Sequence, residues 1–106
     1  MFRRWSETKT RILAEGVEQR TLTYGERMLM SAFELKKGAK VDTHSHPHEQ
    51  IGYLIKGKLK FVVDNEEIIA QTGDSWCIPS GVEHSAEALE KSLIVEVFSP
   101  PREDFM

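Results

Sequence analysis

The chain has 106 residues, of which 40% are hydrophobic, and its 14 basic and 17 acidic residues give a net charge of -3. This length builds one compact core, so we expect a single domain over residues 1–106, and the dispersed charges argue against nucleic-acid binding. The longest apolar stretch, residues 51–55, is far shorter than the ~20 residues that cross a bilayer, so no membrane segment is expected.

The N-terminus and the cysteine content indicate the compartment. The chain begins with Met1, Phe2 and Arg3 and has no apolar segment or small-residue cleavage site of a secretory signal. A single cysteine, Cys77, cannot form an internal disulfide, which agrees with a reducing environment. We therefore expect a cytoplasmic protein. Its small size favours a homodimer, in which the weakly patterned residues 1–20 pair with the partner subunit.

Short β-type runs, separated by glycine, proline and acidic residues, follow one another along the chain, without a helical stripe. Lys56-Gly57 and the segment 64–66 tolerate positive φ angles, so each predicts a tight antiparallel hairpin. Many short strands at near-even spacing favour a barrel or jelly roll, because closure removes exposed edges. The predicted strands are 28–35, 51–55, 58–63, 67–70, 75–78, 84–89 and 93–98.

Three of the four histidines lie within five positions, at His44, His46 and His48. Residues two apart on a strand project to one face, so the first two can direct imidazoles into one interior, a half-site for a divalent metal. The fourth, His84, follows a turn set by Pro79, which can aim it inward. A solvated, histidine-rich turn is the alternative for the cluster alone.

These positions resemble the two motifs of the cupin family. The chain matches the first motif at Gly38, His44, His46 and Gly57, with Gln50 in place of Glu. It matches the second motif at Gly73, Pro79, Gly81 and His84, with Ala88 in place of Asn. The resemblance implies an all-β cupin jelly-roll barrel, a double-stranded β-helix. It also implies one divalent ion (Zn, Ni, Fe, Mn or Cu) held by His44, His46, Gln50 and His84.

The glutamine changes the charge of the predicted site. An amide oxygen can bind a metal but carries no charge, so three imidazoles and one amide leave the ion uncompensated and favour an anionic substrate. A metal-free polar pocket is the alternative. His48 shares strand parity with the ligands, but Pro47 is expected to bend the chain, and we expect His48 in a loop or beside a ligand rather than on the metal.

The last predicted strand contains a single carboxylate, Glu96, within an apolar run. By its period of two, Glu96 either enters the barrel or faces water on an edge strand, and the pattern leaves both open. An inward position would raise its pKa and make it a usable acid or base. Arg102 follows Pro100 and Pro101, and its guanidinium suits a carboxylate, with a solvated tail residue as the alternative.

Residues 44–53 and 98–105 resemble, more narrowly, the KdgF-type pectin-degradation cupins. The resemblance implies a metal-dependent, isomerase-like enzyme that linearises 4,5-unsaturated uronates from pectin or alginate breakdown. It implies that Glu96 and Arg102 are catalytic and that Phe98 and Arg102 bind the anionic sugar. Glu96 departs from the aspartate of that family. A metal-dependent oxygenase and a non-catalytic small-molecule-binding cupin are the alternatives.

Overall fold

A computed structural model describes residues 1–106 as ten strands and two short 3-10 helices. The helices are Trp5–Glu7 and Glu103–Phe105. The strands are β1 (Thr10–Ala14), β2 (Val17–Tyr24), β3 (Leu29–Leu35), β4 (Lys40–His44), β5 (Glu49–Lys56), β6 (Lys58–Val63), β7 (Glu66–Gln71), β8 (Ser75–Ile78), β9 (His84–Ala88) and β10 (Ser92–Ser99).

The strands form two antiparallel sheets that enclose one core. The larger sheet has the order β1-β2-β3-β10-β5-β8, and the smaller has the order β4-β9-β6-β7. Strand β10 shows why they pack together, because every second residue from Ser92 to Phe98 is buried and the residues between them are half-buried. The predicted all-β fold class is confirmed. No helix in the structure has the length and apolar character that a membrane crossing requires.

Aromatic side chains fill one end of the space between the sheets. Phe33 and Phe98 meet edge to face, with ring centroids 6.3 Å apart. Phe105, from the C-terminal 3-10 helix, packs within 6 Å of both rings and is 4% exposed. Arg11 and Thr21 hold this tail by donating hydrogen bonds to its last backbone carbonyls. The C-terminus therefore belongs to the wall of the barrel.

The two predicted hairpins have different outcomes. Asp64 and Asn65 have positive φ angles of 50° and 66° and join β6 to β7 in an antiparallel hairpin, so that prediction is confirmed. The hairpin predicted at Lys56-Gly57 is wrong, because β5 belongs to the larger sheet and β6 to the smaller. Gly57 carries the chain from one sheet to the other in a tight, left-handed bend with φ of +120°.

Strands β1, β2 and β4 were not predicted, since their sequences lack apolar alternation. In β2, the fully buried residue at the centre is Gln19 rather than a hydrophobic side chain. Its amide nitrogen donates to Ser31 Oγ on β3 at 2.8 Å and to Thr21 Oγ1 at 3.0 Å, so the nitrogen is satisfied, while the amide oxygen is buried without a partner. Tertiary hydrogen bonds of this kind leave no periodic signal in the sequence.

Gly57→Ala tests the crossing between the sheets. A Cβ atom at this position would lie 2.6 Å from the Lys91 carbonyl oxygen and would require an unfavourable φ, so we expect the free energy of unfolding to fall by about 2–4 kcal/mol. Gly25→Ala is the matched control, because no atom lies within 4 Å of its Cβ position. We expect it to change stability by less than about 0.5 kcal/mol in urea titrations. Equal stability of the two variants would contradict the packing argument.

Candidate functional site

Three histidines from separate parts of the chain meet at one end of the barrel. His44 ends β4 and pairs with His84 at the start of β9, and their ring centroids are 4.2 Å apart. His46 lies in the connection between β4 and β5, not on the same strand as His44, so the predicted strand geometry of this pair is wrong. The three imidazoles nevertheless offer ring nitrogens that all lie within 4.8 Å of one another. A divalent metal ion needs such convergence.

Each of these rings is oriented by a backbone carbonyl. The Nδ1 atoms of His44, His46 and His84 lie 2.8, 3.0 and 2.9 Å from the carbonyl oxygens of residues 42, 48 and 82. A carbonyl only accepts hydrogen bonds, so each Nδ1 carries the proton and each neutral ring keeps its lone pair on Nε2. The buried His46 Nε2 has no hydrogen-bond partner. The backbone thus selects the tautomer that binds a metal.

Burial also favours the neutral form of two of the rings, His46 and His84. Desolvation lowers the pKa of His46, and the positive charge of Arg102 lowers it further. Desolvation likewise lowers the pKa of His84, against the hydrogen bond to Val82, which raises it. Since a metal ion competes with the proton for the imidazole, depressed pKa values favour ligand-ready histidines at neutral pH.

Gln50 supplies the fourth candidate ligand. It lies on β5, is 4% exposed and lines the same cavity as His44 and His84. Its amide nitrogen donates to Glu96 Oε2 at 2.5 Å, and its buried amide oxygen has no hydrogen-bond partner. A buried, unsatisfied oxygen is costly unless something positive binds it. The three imidazoles and this oxygen fit a divalent metal ion.

Glu96 points into the barrel, which decides between the two orientations left open by its sequence. It lies on β10, between β3 and β5, and is 6% exposed. Its Oε2 atom accepts hydrogen bonds from Gln50 and from the indole nitrogen of Trp76, the latter at 2.9 Å. Burial raises the pKa of Glu96, although both hydrogen bonds oppose this effect. The barrel therefore holds a buried carboxyl group that two hydrogen-bond donors fix in place.

Arg102 lies over the aromatic end of the barrel rather than in a solvated tail. Its guanidinium carbon is 5.0 Å from the centroid of the Phe98 ring and 4.4 Å from that of Phe105. Asp104 accepts two hydrogen bonds from the guanidinium, at 3.0 and 2.7 Å, and this pairing lowers the pKa of Asp104. Arg102 thus binds a carboxylate through two hydrogen bonds, as its guanidinium group allows, and that carboxylate belongs to Asp104 of the same chain.

A cavity of about 320 Å³ connects these groups. Its polar lining includes His44, Gln50, His84, Glu96 and Arg102. Most of the remaining wall is apolar and comes from both sheets, including Phe98, Leu35, Val41 and Phe61. The volume and the mixture of one apolar wall with clustered polar groups are typical of a site for a small organic molecule.

His48 lies beside a candidate ligand, as the sequence predicted. His48 packs beside His46, with ring centroids 5.4 Å apart, and lies outside the three-histidine group. Cys77 is exposed. Trp76 packs against the core and also donates a hydrogen bond to Glu96, a contact that the sequence did not indicate. The glycine opposite Trp76 in β5, Gly52, is the signal that could have placed the indole there.

Comparisons with known proteins give relatives that cover nearly the whole chain. The family model described as "Cupin domain" matches residues 31–99. The chain is 31% identical over 102 residues to the "Pectin degradation protein KdgF" of Dickeya dadantii (strain 3937), covering 94% of this chain and 93% of that protein. The crystal structure of an RmlC-like cupin from Shewanella frigidimarina has a TM-score of 0.93 at 28% identity and covers 99% of this chain and 95% of its own. The structure of KdgF from Halomonas sp. has a TM-score of 0.93 at 27% identity and covers 100% and 98%.

His84→Ala tests the metal site. Removal of one convergent imidazole should weaken Zn²⁺ or Co²⁺ binding by at least about 100-fold in calorimetric titration, since even residues that only orient a ligand contribute 10–100-fold. His48→Ala serves as the control, because this ring lies outside the group of three. We expect its affinity to stay within about 3-fold of the parent protein. An equal loss in both variants would argue against the three-histidine site.

Proposed function

This chain belongs to the cupin family, and we propose that it is a metal-dependent enzyme that linearises 4,5-unsaturated uronates from the breakdown of pectin or alginate. The observation that carries the proposal is the convergence of three oriented imidazoles and the free amide oxygen of Gln50 beside the buried carboxyl group of Glu96. The 31% identity to a protein named for pectin degradation supports this substrate class. Other cupins carry other activities, so the assignment depends on the site.

His44, His46, Gln50 and His84 would hold one divalent ion. When bound, such an ion supplies Lewis-acid polarisation of a substrate oxygen. None of these four side chains carries a negative charge, so none of them repels an anionic sugar from this end of the cavity. The donor types suit Zn, Ni, Fe, Mn or Cu.

Glu96 is the proposed proton carrier. Opening the ring of a 4,5-unsaturated uronate breaks the bond between the anomeric carbon and the ring oxygen. The anomeric carbon becomes an aldehyde, and the ring oxygen becomes that of a ketone. One proton leaves the anomeric hydroxyl, and one arrives at C4. A buried carboxyl group with a raised pKa can accept the first proton and deliver it to the carbon.

Arg102 and Phe98 are the proposed substrate-binding residues. The guanidinium lies over Phe98 and already binds the Asp104 carboxylate in two-point geometry, the same geometry that a sugar carboxylate would take. The carboxylate of the sugar would replace Asp104, and the Phe98 ring would pack against the sugar. Asp104 then acts as an internal competitor for the anion.

Assembly and location are part of the same proposal. The outer face of the larger sheet exposes Met30, Ile51 and Tyr53, and the edge strand β1 exposes Ile12 and Leu13. Apolar side chains grouped on a face favour contact with a second copy of the chain, so a homodimer stays our prediction.

We propose that the protein acts in the cytoplasm, where monomeric breakdown products would be its substrates.

Glu96→Gln tests the chemical step. The amide keeps the size of the side chain and removes the ionisable group, so kcat for a 4,5-unsaturated uronate should fall by about 100-fold or more. Turnover is followed as the loss of ultraviolet absorbance of the conjugated double bond, with metal content measured in the same preparation. Glu34→Gln, in β3, is the matched control. Turnover by Glu96→Gln within about 3-fold of the parent rate would exclude Glu96 as the proton carrier.

Arg102 and Asp104 are tested as a pair. Arg102→Lys loses the planar fork, so KM for the anionic sugar should rise about 10-fold. Asp104→Asn removes the competing carboxylate, and KM should fall about 3-fold because the guanidinium is then free. A higher KM in Asp104→Asn would contradict the proposed competition and assign Asp104 to holding Arg102 in place.

A further inference from the structure

A row of three residues crosses the larger sheet beneath the site. Trp76 on β8 is paired with Gly52 on β5, and Gly52 is paired in turn with Glu96 on β10. Trp76 and Glu96 therefore lie two strands apart, separated by a residue without a side chain. A Cβ atom on Gly52 would lie 2.5 Å from the indole nitrogen, inside any allowed contact. Only glycine lets the indole lie across β5.

The indole is fixed from both sides. Its N–H donates to Glu96 Oε2 at 2.9 Å, and its ring packs on Phe61 of the opposite sheet, with centroids 4.6 Å apart. Trp76 thus bridges the two sheets and reaches a carboxyl group that is otherwise enclosed. A buried hydrogen bond to such a group is strong, because no water competes for it.

This contact determines which atom of the Gln50 amide is engaged by Glu96 and which is left free beside the cavity that Gln50 shares with His44 and His84. An indole N–H can only donate, so Glu96 Oε2 is an acceptor. When Glu96 is ionised, its Oε2 has no hydrogen to donate, so the Gln50 atom 2.5 Å from it is the donor, the amide nitrogen. Its oxygen is consequently directed elsewhere, where it is buried without a partner. With the amide reversed, the nitrogen would present no lone pair to a cation.

We propose that Trp76 is a positioning residue of the metal site, acting through Glu96 to hold the oxygen of Gln50 toward the three histidines. The inference rests on the metal site of the proposed function but not on its substrate. Gly52 is part of the same arrangement, because the absence of a side chain there leaves the space through which the indole of Trp76 reaches Glu96. The residue that orients Gln50 through Glu96 therefore lies on β8, a strand that contributes no candidate metal ligand.

Trp76→Phe is the principal test, because phenylalanine keeps an aromatic ring against Phe61 and removes only the donor. We expect Co²⁺ to bind 10–100-fold more weakly in calorimetric titration, and its visible absorption bands to shift as an oxygen ligand is lost. Trp5→Phe is the matched control, since Trp5 is 47% exposed and stacks on Arg20, and its affinity should not change. Gly52→Ala should reproduce the defect of Trp76→Phe.

A double-mutant cycle separates positioning from a general structural effect. In a Gln50→Ala background there is no amide to orient, so Trp76→Phe should cause no further loss of Co²⁺ affinity. An equal loss with and without Gln50 would overturn the inference, and so would unchanged Co²⁺ binding by Trp76→Phe. Failure of the parent protein to bind Co²⁺ would remove the metal site of the proposed function, and this inference with it. Failure of uronate turnover alone would leave the inference standing.

Discussion

The buried carboxyl group of Glu96 is the constraint around which the site is arranged. Burial of an ionisable group in an apolar barrel is unfavourable unless polar partners meet it there. Two donors do so, from Gln50 on the neighbouring strand and from Trp76 one strand further. Gln50 and Trp76 both lie on strands of the same sheet as Glu96. Their positions therefore fix that of the Glu96 carboxyl group, and the carboxyl group in turn orients the amide of Gln50.

In the candidate site the ionisable carboxyl group belongs to Glu96, which contacts Gln50, and not to a residue of the three-histidine group. The cupin motif has a carboxylate where this chain has Gln50, and a second carboxylate there would lie against Glu96 and repel it. An amide avoids that repulsion by donating to Glu96, and its oxygen stays free of hydrogen bonds. One contact therefore accounts both for the uncharged residue at position 50 and for the single buried acid beside it.

The motif spacing alone identified most residues of the candidate site, although the strand geometry expected for His44 and His46 was wrong. The motif spacings selected His44, His46, Gln50 and His84, and the structure brings the three histidines together even though His46 has left the strand. The period of two placed Glu96 on one face with its apolar neighbours but could not say whether that face was inside. Trp76 was missed as a site residue, because its hydrogen bond to Glu96 joins two residues that lie on different strands and are 20 positions apart in the chain.

What the sequence determined by itself is local: the strand periodicity, the Asp64-Asn65 turn and the residue types at the motif positions, all of which depend on backbone geometry within a few residues. What only the tertiary structure decided is which strands are neighbours. That choice put β5 and β6 in different sheets, turned Glu96 inward and placed a glycine between it and Trp76. Strand order depends on burial summed over the whole chain, and no single segment encodes it.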